Sequence, residues 1–130
     1  FFDPGVTHFI AGTETIDRNS NLWGTSFEQF IFMEIKAYSS YHQRRAAICF
    51  WRSTDKYEVD LVINSKIAIE VKSTKKVSNA DLKGLMALQQ ENILDMFYII
   101  SEDPIETRIQ GIDAIHWKTF LKKLWSGKIF

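Results

Sequence analysis

Apolar residues fall on alternate positions twice in succession in the middle of the chain. Val59, Leu61 and Ile63 alternate with Glu58 and Asp60 in the first run; Ile67, Ile69 and Val71 alternate with Glu70 and Lys72 in the second. A polar Asn64-Ser65-Lys66 break separates them, so the segment predicts a β-hairpin. Opposed residues of an antiparallel pair share a face. The two apolar sets therefore meet only in an even register, such as Ile63 opposite Ile67. A two-residue Asn64-Ser65 turn would give the odd register, and a three-residue loop with one left-handed residue fits instead. This register sets Asp60 opposite Glu70 and Glu58 opposite Lys72. Opposed carboxylates repel, and a divalent cation held by their oxygens removes that cost. A slip of two residues would instead pair Asp60 with Lys72 as an ordinary ion pair.

The rest of the pattern predicts an α/β domain with a mixed central sheet flanked by helices. Residues 1–5 look like a strand end entering a turn, 6–11 like a short apolar segment, and 12–22 like a polar loop. A long helix should run from Trp23 to Tyr41. Strands follow at 47–53, 57–63 and 67–73. Ser78 and Asp81 resemble a capping box opening a helix to about Asn92. Strands at 96–101 and 112–117 and a closing helix to Trp125, stopped near Gly127, complete the order.

On a helical wheel of the first helix, Phe27, Ile31, Ile35 and Tyr38 mark the inward arc and Gln29 and Lys36 the wet side. Glu28 and Glu34 intrude into the apolar arc, where an unpaired carboxylate is costly. Either each reaches water or an Arg at the stripe's edge, or one of them approaches the acidic face of the hairpin.

Composition narrows the picture. A hydrophobic content of 45% over 130 residues provides one domain with a real core. Sixteen basic and sixteen acidic residues cancel, so any polyanion binding needs a local patch. A single cysteine, Cys49, excludes a disulfide framework and a Cys-rich zinc site and suggests a reduced, cytoplasmic setting. No apolar run has the length of a membrane span. His8, His42 and His116 lack metal-ligand spacing. Arg44-Arg45 reads as an exposed loop, Trp51 as core, and Arg52 as a neighbour for one of the acids. Trp117, Phe120, Leu124 and Trp125 read as the packing face of the last helix. The chain starts at Phe1, mid-pattern, and so reads as a piece of a longer protein.

A helix acid, then Asp60, then Glu70-Val71-Lys72, then a helix resembles the PD-(D/E)xK nuclease superfamily. The whole chain, residues 1–130, further resembles a C-terminal domain of unknown function carried by prokaryotic AAA-type, P-loop ATPases. Its landmarks here are Phe2-Asp3-Pro4-Gly5-Val6, Gly24-Thr25-Ser26-Phe27-Glu28, Phe50-Trp51-Arg52, Glu58-Val59-Asp60, Ile69-Glu70-Val71-Lys72, Asp81-Leu82-Lys83-Gly84-Leu85 and Phe120-Leu121. The resemblance implies a restriction-endonuclease-like core. Asp60, Glu70 and Glu28 match its metal-binding acids, with the Val71 carbonyl completing the shell, and Lys72 matches the lysine that orients or activates water. Magnesium, or manganese, is the implied cofactor. Nucleic acid, DNA in the first instance, is the implied substrate, and the ATPase domain of the same polypeptide the implied partner. This chain has no phosphate-binding loop of its own. Lys75, Lys76 and Lys83 could contact a phosphate backbone, or could be a solvated turn and helix start. The alternative function is a catalytically inert nuclease-fold module that binds DNA or protein, or assembles the ATPase.

Overall fold

The computed structural model describes residues 21–43 and 45–130. The expectations for residues 1–20, His8 and Arg44 lie outside them. Helix α1 spans Asn21–Tyr41, so the helix begins two residues inside the segment expected as loop. Strands β1 (Ile48–Arg52), β2 (Glu58–Ile63) and β3 (Ile67–Val71) follow. A 3-10 turn at Asn79–Leu82 leads into α2 (Lys83–Gln89). The remainder is β4 (Met96–Ser101), β5 (Thr107–Ile109), β6 (Ile112–His116) and α3 (Trp117–Trp125).

The six strands form one mixed sheet in the order β1-β2-β3-β4-β6-β5. β1, β2 and β3 pair antiparallel, β3, β4 and β6 run parallel, and β5 returns antiparallel on β6. The parallel core forces both faces of the sheet under helices. On one face Phe27, Ile31, Ile35 and Tyr38 of α1 and Phe120 and Leu124 of α3 pack on Leu61, Ile63, Ile67, Ile69, Tyr98 and Ile100. On the other, Leu82, Leu85 and Leu88 pack on Val59, Val62, Ala68, Phe97, Ile99 and Ile112. The inward arc expected of α1 is thus buried at every position named. In α3, Phe120 and Leu124 are fully buried, while Trp125 stays partly exposed and meets Tyr38 edge-on, ring centroids 5.4 Å apart.

The hairpin register is the one the alternation demands: Ile63 faces Ile67 and Leu61 faces Ile69. Three residues connect the strands, and two of them, Asn64 and Ser65, have positive φ rather than the one expected. The Asn64 side chain also accepts from Ala47 N–H at 3.0 Å, tying the loop to the start of β1.

Three expectations are corrected. Val59 does not share a face with Leu61 and Ile63; it joins the α2-side cluster. The cause is a β-bulge. Cys49 pairs with Val62 and Trp51 with Val59, leaving Asp60 and Leu61 together opposite Phe50. An extra residue in one strand resets its alternation. Second, the β2–β3 ladder ends at Leu61 and Ile69, so Glu58 and Lys72 lie beyond its paired residues; the partner Glu58 has is Arg52 of β1, with the carboxylate 2.5 Å from the guanidinium at the surface. Arg52 therefore neutralises an exposed acid, not a buried one. Third, the capping box of Ser78 and Asp81 is present, Ser78 N–H donating to Asp81 Oδ2 at 2.9 Å, but it opens a 3-10 turn. The helix that follows ends at Gln89.

Candidate functional site

Beyond Leu61 and Ile69 the backbone pairing of β2 and β3 stops, and side chains take over. Asp60 N–H donates to Glu70 Oε1 at 3.2 Å, and Val71 N–H donates to Asp60 Oδ2 at 2.8 Å. The two carboxyl groups lie close enough for Asp60 to raise the proton affinity of Glu70. The β1–β2 bulge lies at the same place, with Asp60 and Leu61 together opposite Phe50.

Glu70 is buried, 7% exposed, although it lies one residue from the end of a strand. Burial raises its carboxyl pKa to about 9; the hydrogen bond to Asp60 and the Asp60 charge add to the rise, and Lys72 opposes it. Two close carboxylates in a desolvated place hold one proton between them. Without a cation, the pair therefore keeps a proton at neutral pH.

Helix α1 delivers the third acid. Its first turn crosses the chain leaving β3: a Cβ on Gly24 would stand 3.3 Å from Ser73 Oγ. Trp23 Nε1 donates to Glu102 Oε2 at 3.1 Å, anchoring the same turn to the end of β4. One turn later Glu28 reaches the neighbourhood of Asp60 and Lys72. Desolvation raises its pKa, the Asp60 charge raises it further, and Lys72 lowers it. Glu28 also lines a cavity with Asp60, and Glu34 is not among its lining residues. Of the two intruding glutamates, Glu28 is the one at the hairpin.

Asp60, Glu70, Lys72 and Glu28 thus form one electrostatic group. Lys72 follows the last residue of β3, its N–H donating to Ile100 O at 2.9 Å and its side chain exposed. Lys75 and Lys76 are exposed on the loop after it, where Thr74 Oγ1 donates to Lys76 O at 2.9 Å. Lys83 is exposed at the start of α2. Cys49, on β1, is a free and exposed thiol.

The donor set suits a hard cation in part. Asp60 and Glu70 offer oxygen ligands, and the proton shared between them marks where positive charge is needed. No group of three or more His, Cys, Asp or Glu side chains that could hold a metal ion occurs among the described residues. Such a pair fits a cation that retains most of its water, as magnesium does, and not a fully dehydrated one. Spacing along the sequence contained no signal for the Val71 amide that holds Asp60, nor for the cavity residues Gln29, Phe32 and Phe50.

Fold and site together define a mixed α/β domain with a coupled carboxylate pair where two sheet strands part. The chain belongs to the family described as Domain of unknown function (DUF4143), whose model matches residues 23–120. No curated protein and no solved structure matches the chain. Among the described residues no helix is long and apolar enough to cross a membrane.

Proposed function

We propose that this domain is a PD-(D/E)xK-like phosphodiesterase that hydrolyses nucleic acid with magnesium, attached to an AAA-type ATPase and working in the cytoplasm. The observation that carries the reading is the junction of Asp60 and Glu70 at the fork of β2 and β3, with Lys72 and Glu28 coupled to it. Asp60 and Glu70 would hold the cation, with the Val71 carbonyl beside them and Glu28 adding negative charge at the rim. Bound there, the cation would supply charge for the phosphoryl oxygens and lower the pKa of water. Lys72 places an ammonium where negative charge develops on the phosphate, or holds the attacking water. Val71 N–H fixes Asp60 in position. Lys75, Lys76 and Lys83 give the strand an exposed cationic approach.

A second reading, an inert nuclease-fold module, has its own support. Glu70 accepts from Asp60 N–H and Asp60 from Val71 N–H, so both carboxyl groups have hydrogen-bond partners without a metal. The intact protein should cleave DNA or RNA with magnesium or manganese, and Asp60→Asn and Lys72→Ala should each abolish cleavage. Cleavage surviving both substitutions rejects the site. No cleavage of any substrate by a folded protein favours the inert module.

A further inference from the structure

Beside the carboxylate pair, on the α1 side of the hairpin, lies a cavity of about 340 Å³ lined by Glu28, Gln29, Phe32, Ile48, Phe50, Asp60 and other residues of β1 and β2. Three features distinguish it from a packing defect. Phe50 is 70% exposed on an edge strand, directly opposite the bulge that presents Asp60. Phe32 forms a second aromatic wall, and the Lys36 ammonium stands 5.5 Å from its ring centroid. Apolar walls end in a rim of Gln29, Glu28 and Asp60, which carries an amide and two carboxyl groups.

We infer that this cavity receives an unpaired nucleobase adjacent to the scissile phosphate, so that the site takes single-stranded or locally unpaired nucleic acid. A flat ring with donors and acceptors on its edge matches aromatic walls and a polar rim, and single-strand binders use exposed aromatic rings in this way. The size is that of a small-molecule pocket. Asp60 belongs both to the carboxylate pair and to the cavity wall, so a nucleotide with its phosphate at the pair projects its base toward Phe50. Lys36, its ammonium over the Phe32 ring, supplies a cation for the neighbouring phosphate. An enzyme that unstacks its target base gains selectivity for strands already unpaired. The inference rests on the phosphodiesterase reading of the same site, and the test separates the two.

Cys49 also lines this cavity and is the sole cysteine of the sequence. In the intact protein with chelator present, alkylation of Cys49, followed by peptide mass spectrometry, should slow at least fivefold when a short oligothymidylate is added. A blunt duplex of the same length should protect much less. Phe50→Ala should weaken oligothymidylate binding about tenfold, within the range for loss of one base–aromatic stack, and Phe50→Trp should restore it. Equal alkylation with and without oligothymidylate, equal protection by duplex, or unchanged binding by Phe50→Ala each overturns the base pocket. Magnesium-dependent cleavage lost in Lys72→Ala, with Cys49 unprotected, would reject the pocket and keep the enzyme. Protection of Cys49 without cleavage would keep the pocket and reject the enzyme.

Discussion

Gly84 rests on the backbone of Glu58: a Cβ built on Gly84 would stand 2.0 Å from the Glu58 carbonyl oxygen. Helix α2 is therefore pressed onto β2 two residues before Asp60, and it holds the strand end that carries the carboxylate pair. The obstacle is backbone, which cannot rotate away. Gly84→Ala should destabilise the domain by at least ~3 kcal/mol, at or beyond the usual cost of overpacking. Urea melts check this directly; an unchanged midpoint would show that α2 does not bear on β2 so closely.

The shared proton makes stability depend on pH in a defined direction. Glu70 has a folded pKa of about 9, raised from 4.5, so the folded state binds this proton more tightly than the unfolded chain. Its stabilising contribution is complete below pH 4.5 and is lost progressively as pH rises toward 9. With chelator present, the melting temperature should fall between pH 6 and pH 9. Glu70→Gln, neutral at every pH and nearly the same shape, should remove most of that slope. A parallel slope in both proteins would place the titration elsewhere.

Asp103 behaves in the opposite sense. It is buried after β4 and accepts from Val77 N–H and Ile105 N–H, both at 2.9 Å. Those two bonds, Val77 first, hold its pKa below 3.8. Its contribution is present above pH 3.8 and is lost as pH falls through the lower folded value. Asp103→Ala strands two backbone donors and should cost roughly 1 to 3 kcal/mol at neutral pH, with the gap to the parent narrowing in acid. Denaturation curves at neutral and acid pH measure both parts.

The hairpin was legible because Ile63, Ile67 and Ile69 allow only an even register, and the ladder adopts it. The alternation of Val59, Leu61 and Ile63 concealed the bulge. A bulge is set by pairing with a partner strand, and Phe50, the β1 residue opposite it, carries no mark of it in the local sequence. The same blindness applied to burial on the second face: Glu70 looked like a surface residue of a half-wet hairpin, and it is buried because β4 runs parallel beside β3 and α2 covers the sheet. β5 went unrecognised because Thr107–Ile109 is three residues long. Its turn, Gln110-Gly111 with φ of 50° and 82°, is the one local signal that could have revealed it. Glu28 and Glu34 were indistinguishable on the wheel, since only the crossing of α1 over Ser73 decides which acid reaches Asp60.

The central claim is that Asp60 and Glu70 form a cation site and not a structural pair. Thermal melts of the parent and of Asp60→Asn, each with chelator and with magnesium, test it most directly. The substitution keeps an oxygen for Val71 N–H while removing one of two opposed acids. With chelator, Asp60→Asn should be as stable as the parent or more stable by ~1 kcal/mol, since without the Asp60 charge beside it Glu70 no longer has to hold a proton as tightly at neutral pH. Magnesium should raise the melting temperature of the parent and leave that of Asp60→Asn nearly unchanged, because a ligand bound only to the folded state stabilises it. A parent unresponsive to magnesium, with an Asp60→Asn variant destabilised by roughly 1 to 3 kcal/mol, would contradict the cation site.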